Sequence, residues 1–168
     1  MKKLALGVVG GVCAVLLLFL IYARIFGYDP GLYRPGLWLK GQVVTEPVTD
    51  WSFARRVRNA AIQTHQSFFP LLAHSVTTAL FHYKEQLYFI SVYPAGLTLP
   101  SGRRWNENVK ADSRVRIRLV GSDRLYDGNL VYVSDPAERD AVFYKQPGAG
   151  SYSLPGMYIH LWRFVPLQ

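Results

Sequence analysis

The sequence predicts a mainly β protein: one small antiparallel barrel with two short helices, preceded by one N-terminal transmembrane helix. Three observations predict it. An uncharged run opens the chain, and short segments rich in Val, Ile, Thr, Phe and Tyr recur between turn residues after it. Twenty-four of the 168 residues are aromatic, which suits a strand-rich core. Half the residues are hydrophobic and 18% are charged, a composition far from that of disordered segments.

Leu4 to Tyr22 holds nineteen residues without a charge, between Lys2-Lys3 and Arg24. As a helix it rises about 28 Å, close to the ~30 Å hydrocarbon layer of a bilayer. Tyr22 and Tyr28 stand near its far end, where aromatic rings favour the headgroups. A cleaved signal peptide usually carries a shorter apolar stretch, and Ile21-Tyr22-Ala23 lacks the small-x-small pattern of a cleavage site. Val12 before Cys13 likewise departs from a lipoprotein signal. Residues 1–27 are therefore expected to be an uncleaved single-pass anchor with membrane lipid as its partner. Basic residues flank the run on both sides, so the positive-inside rule does not settle orientation. The short basic head favours a domain on the outer (periplasmic or extracellular) face.

Residues 1–27 hold Lys2, Lys3, Arg24 and no acid, so the remainder keeps sixteen basic against eleven acidic residues, a net +5. A single cysteine excludes an intramolecular disulfide and any multi-cysteine metal site. Residues 28–36 contain two Pro-Gly steps and read as a stiff linker to a domain spanning 37–168.

Within that domain Leu37 to Val44 reads as a first strand, broken by Pro47, and Asp50 to Arg55 as one helical turn. Val57 to His65 is the next strand, followed by a loop around Pro70. Ser75 to Tyr83 and Leu87 to Tyr93 form a hairpin about the polar turn Lys84-Glu85-Gln86. After a loop, Ser101 caps a short helix to Lys110, with Trp105 and Val109 on one face. Arg114 to Leu119 alternates arginine with aliphatic residues, the pattern of a half-buried strand. Gly121-Ser122-Asp123 turns the chain into Leu125 to Val133. Ser134-Asp135-Pro136-Ala137-Glu138 starts a helix to about Tyr144, with a polar cap, proline at the first position and an acid in the first turn. A glycine-rich loop and a last strand, Met157 to Val165, complete the chain.

Trp105-Asn106-Glu107-Asn108-Val109-Lys110-Ala111-Asp112-Ser113-Arg114-Val115-Arg116-Ile117, then Leu125-Tyr126-Asp127-Gly128 and Ser134-Asp135-Pro136-Ala137-Glu138-Arg139, resemble the split β-barrel flavin-binding superfamily. That superfamily includes pyridoxamine 5′-phosphate oxidase-like proteins and deazaflavin-dependent nitroreductases. The resemblance covers roughly residues 75–142 and implies a split barrel that commonly dimerises and holds FMN or a related flavin. It further implies cofactor contacts from Ser75, Thr77 and Thr78 on one strand and from Ser101, Arg103 and Arg104 before the Trp105 helix. A guanidinium fork and hydroxyls suit a phosphate. No Gly-Arg-Lys-Ser-Gly segment of the deazaflavin users stands between the first strands.

Plainer readings stand beside these. The Arg114, Arg116 and Arg118 stripe is first the wet face of an amphipathic strand, and Ser75, Thr77 and Thr78 also favour β structure on their own account. His65, His74, His82 and His160 lack metal-ligand spacing, and no nucleophilic triad is recognisable. Basic and aromatic residues mix as in single-strand binders, but beside an anchor no nucleic-acid partner is expected. Two functions remain: a membrane-anchored flavin-dependent oxidoreductase, and a non-catalytic split-barrel module that binds a ligand or a partner at the membrane.

Overall fold

The computed structural model describes residues 2–31, 34–66, 71–93, 104–144 and 158–167. Helix α1 (Lys2–Phe26) contains a 20-residue stretch, Gly7–Phe26, of mean hydropathy 2.4, long and apolar enough to cross a membrane. Gly27 ends it in the left-handed region at φ 82°, and its N–H bonds the carbonyl of Ala23 at 3.0 Å. A side chain at Gly27 would collide with Lys40, whose Cβ stands 2.7 Å from the place it would occupy.

Seven strands follow: β1 (Gln42–Val43), β2 (Asn59–His65), β3 (Ala73–Tyr83), β4 (Gln86–Tyr93), β5 (Arg114–Leu119), β6 (Arg124–Tyr132) and β7 (Tyr158–Pro166). Helix α2 (Arg104–Ala111) precedes β5, and helix α3 (Pro136–Tyr144) follows β6. The order β6-β5-β2-β3-β4-β7 closes on itself through β6 and β7, so six antiparallel strands make a barrel. Only β1 is parallel, a two-residue addition to β6.

Side chains alternate across each strand, so one set of every strand lines the interior. Ile62, Leu80, Leu87, Phe89, Val115, Ile117, Leu130, Trp162 and Phe164 fill it, all 4% exposed or less. Trp51, beside a 3-10 turn at Ser52–Ala54, and Trp105 of α2 join the same cluster. On the outside, α3 packs Val142 and Phe143 against Phe81, Tyr88, Ile90 and Leu161. Asp135 caps α3 through the N–H groups of Ala137 and Glu138, both at 3.2 Å. Glu138 then accepts from Tyr88 Oη at 2.9 Å and from Arg163 at 2.8 Å.

The strand expected over Leu37 to Val44 shrinks to Gln42–Val43. Its backbone finds other partners. Gly36 bridges Ser75, the Leu39 N–H donates to the Gln63 side chain at 2.7 Å, and the Lys40 carbonyl accepts from Arg118 at 2.6 Å. Asp29 also pairs with Arg118 at 2.8 Å, so residues 28–31 and 34–40 lie fastened along the barrel wall.

The β3–β4 hairpin turns on two residues, Lys84 and Glu85, both at positive φ (46° and 60°). That geometry matches the twist of paired strands but costs a residue with a Cβ about 1–2 kcal/mol. Lys84-Glu85→Asn-Gly should therefore raise the stability of the full chain by about 1 kcal/mol or more. Thermal or denaturant unfolding in detergent measures it, and an unchanged midpoint contradicts the strain.

Candidate functional site

Of the six residues singled out in the sequence, Ser75, Thr77, Thr78 and Arg104 are described. Ser101 and Arg103 lie outside the described residues. Ser75 and Thr77 point outward from β3 and Thr78 inward, because successive side chains of a strand face opposite ways. Ser75 is fully buried, and its hydroxyl meets no hydrogen-bond partner among the described residues. Gly36 covers it: a Cβ on Gly36 would come within 2.6 Å of that hydroxyl. The Thr78 hydroxyl donates to the Ile90 carbonyl at 2.8 Å. Thr77 is half-buried on the outer wall, and Arg104 is exposed at the start of α2.

Arg104 has one neighbour of consequence on β3. Its charge, after burial, is the second cause that holds the His74 pKa below the ordinary 6.5. His74 Nδ1 is buried without a hydrogen-bond partner among the described residues. The Arg104 charge thus disfavours protonation of His74 at the α2 end of the barrel.

That end is closed by asparagines. Asn106, fully buried, donates to Ser91 Oγ and to Tyr93 Oη, each at 2.8 Å, and accepts from Trp162 Nε1 at 2.8 Å. Asn108 donates to Thr64 Oγ1 at 3.0 Å, and that hydroxyl donates to the His74 carbonyl at 3.2 Å. Each such bond adds about 0.5–1.5 kcal/mol, and an orphaned partner costs about 1–3 kcal/mol. Sequence reading placed these asparagines on a helix but missed that they plug the barrel.

The arginine stripe of β5 is neutralised side chain by side chain. Arg114 holds Asp112 at 2.7 Å, Arg116 grips Asp127 through two bonds of 2.6 and 2.7 Å, and Arg118 holds Asp29. The Arg114 contact keeps the Asp112 carboxyl down at about 2. Guanidiniums so engaged are poor candidates for an anion. Among the described residues no cluster of His, Cys, Asp and Glu could hold a metal ion.

A phosphorylated flavin needs converging donors. Of those expected for it, Ser75 is covered, Thr78 is engaged and inward, and only Thr77 and Arg104 stand open on the described surface.

The influence of Arg104 on His74 has a pH signature. Because the folded protein lowers the His74 pKa, its contribution to stability is complete above about 6.5 and is lost as pH falls through the folded value. Arg104→Gln should move the His74 titration upward and reduce the loss of stability below pH 6.5. Imidazole NMR titration measures it, and an unmoved midpoint separates the two residues.

No protein-family model matches the chain, and no curated protein matches it. Solved structures do. A protein of unknown function from Agrobacterium tumefaciens is 20% identical over 73% of this chain and 58% of its own, with a TM-score of 0.48. A NimC/NimA family protein from Clostridium acetobutylicum is 10% identical over 65% of this chain and 74% of its own, at 0.48. An FAD-binding protein from Mesorhizobium loti is 16% identical over 68% of this chain and 84% of its own, at 0.45. The chain spans under two thirds of the Agrobacterium protein. These likenesses concern the outline of the fold and not an activity. In fold the chain is a closed six-stranded antiparallel barrel.

Proposed function

We propose that this chain is a single-pass membrane protein whose barrel, on the outer face, is a non-catalytic module for a small ligand or a protein partner. The covered Ser75 carries this reading. A hydroxyl that the flavin reading needs is buried under Gly36, inside a wall that the chain's own residues 34–40 occupy. The interior is packed with side chains, so a ligand has to be met on the outer surface or at an end of the barrel. Arg104, exposed beside His74, is the cation best placed to greet one. The length and apolar character of α1 support the anchor, and its short basic head favours the outer placement.

A second reading keeps the flavin. Arg104 next to β3 and the open Thr77 hydroxyl favour it, with FMN or a related flavin as the cofactor of a membrane-anchored oxidoreductase. In that case the bound ring supplies the redox chemistry, and the protein positions it.

Titration of the full-length chain in detergent with FMN and FAD, followed by flavin fluorescence, decides between them. The module reading expects a colourless protein and no saturable quenching. Saturable binding that Arg104→Ala weakens about 10- to 150-fold, the loss of one charge-assisted hydrogen bond, establishes the flavin reading instead.

A further inference from the structure

The last turns of α1 do not stand clear of the barrel. Ala23 is fully buried, Lys40 Nζ donates to the Ile25 carbonyl at 3.0 Å, and Phe19 meets the Tyr28 ring edge-on at 5.6 Å. Between helix and barrel runs an open groove lined by Leu20, Ile21, Ile25, Trp38, Leu71 and Leu72. Its one charged side chain is Arg24, whose guanidinium lies over the Trp38 ring at 5.5 Å. Leu71, in the turn before β3, is 82% exposed, more than any other large hydrophobic residue described.

We infer that this groove is filled by the acyl chains of membrane phospholipid, so that the barrel sits against the bilayer with Leu71 inserted. The inference rests on α1 being the membrane anchor. Three of the apolar walls belong to α1 itself, so the groove continues the surface that the spanning helix turns to lipid. With the helix fastened to residues 28–40, whatever lies beside Leu20 to Ile25 shares their depth. Those residues form the last turns of the 20-residue span, at the boundary between hydrocarbon and headgroups. Trp38 suits that boundary, and Arg24 reaches the phosphates while its stem stays in apolar surroundings. The net +5 of the chain beyond residue 27 further favours an anionic surface. In water, by contrast, an 82% exposed leucine facing an apolar groove gains nothing.

The test uses the full chain with Cys13→Ser, carrying Leu16→Cys, Leu71→Cys or Val165→Cys one at a time, each labelled with a nitroxide. All three original side chains are exposed, at 56%, 82% and 40%, so the label leaves the core intact. Val165 faces outward from β7, the strand across the barrel from β2. In nanodiscs of phosphatidylcholine and phosphatidylglycerol, relaxation by oxygen is compared with relaxation by a water-soluble nickel chelate. Positions 16 and 71 should favour oxygen several-fold over position 165, which should favour the chelate. If 16 favours oxygen while 71 behaves like 165, the seat is wrong and the anchor stands. If 16 favours the chelate, the anchor fails and the seat with it.

Discussion

Closing six strands leaves an interior that their own side chains fill, and most of the molecule is arranged around that limit. Eight strands give a bore just wide enough for packed side chains, and six give less. Here Phe89, Trp162, Phe164 and the aliphatic residues around them occupy it, with Trp51 and Trp105 drawn into the same cluster. Gly128 shows how tight the fit is, since a Cβ there would come within 2.5 Å of the Phe164 ring. A chain so built cannot keep a ligand in its middle. A ligand would have to be met on the outer wall or at the ends.

The ends and the wall are themselves largely spoken for. At one end Asn106 and Asn108 satisfy Ser91, Tyr93, Trp162 and Thr64, polar groups that α2 would otherwise bury without partners. On the wall, β5 presents three arginines, yet each is tied to a carboxylate from a different part of the chain: Asp112, Asp127 and Asp29. Surface pairs of this kind add at most about 1 kcal/mol each. Their larger effect is on charge, because they leave Arg104 more available to an anion than the more conspicuous stripe.

Local patterns were legible in the sequence, and contacts distant along the chain were not. The alternation of Arg114 to Leu119 is a strand with the expected face inward, and the cap at Asp135 starts α3 where proline and acid indicated. The hairpin between β3 and β4 was visible, although two residues at positive φ without a glycine do not announce their geometry. Leu37 to Val44 misled, since it reads as a strand while its backbone bonds go to Gln63 and Arg118 side chains. For the site, period-two reasoning applied to Ser75, Thr77 and Thr78 already separates adjacent threonines onto two faces. The cover over Ser75 was beyond reach, because Gly36 and Ser75 are brought together only by the path of residues 28–40.

Those residues join the two halves of the molecule. Gly27 turns the chain out of α1, Asp29 locks onto Arg118, Gly36 bridges Ser75, and Leu39 bonds Gln63. A flexible tether of this length would let the barrel rotate freely relative to α1. Fastened at successive points along the wall, it instead fixes which face of the barrel meets α1. The contacts that set this orientation also remove Ser75 from the surface, so the seating of α1 on the barrel and the loss of that hydroxyl have one structural cause. Freeing Ser75 would require lifting Gly36 from β3, and with it part of the support that holds the barrel against its helix.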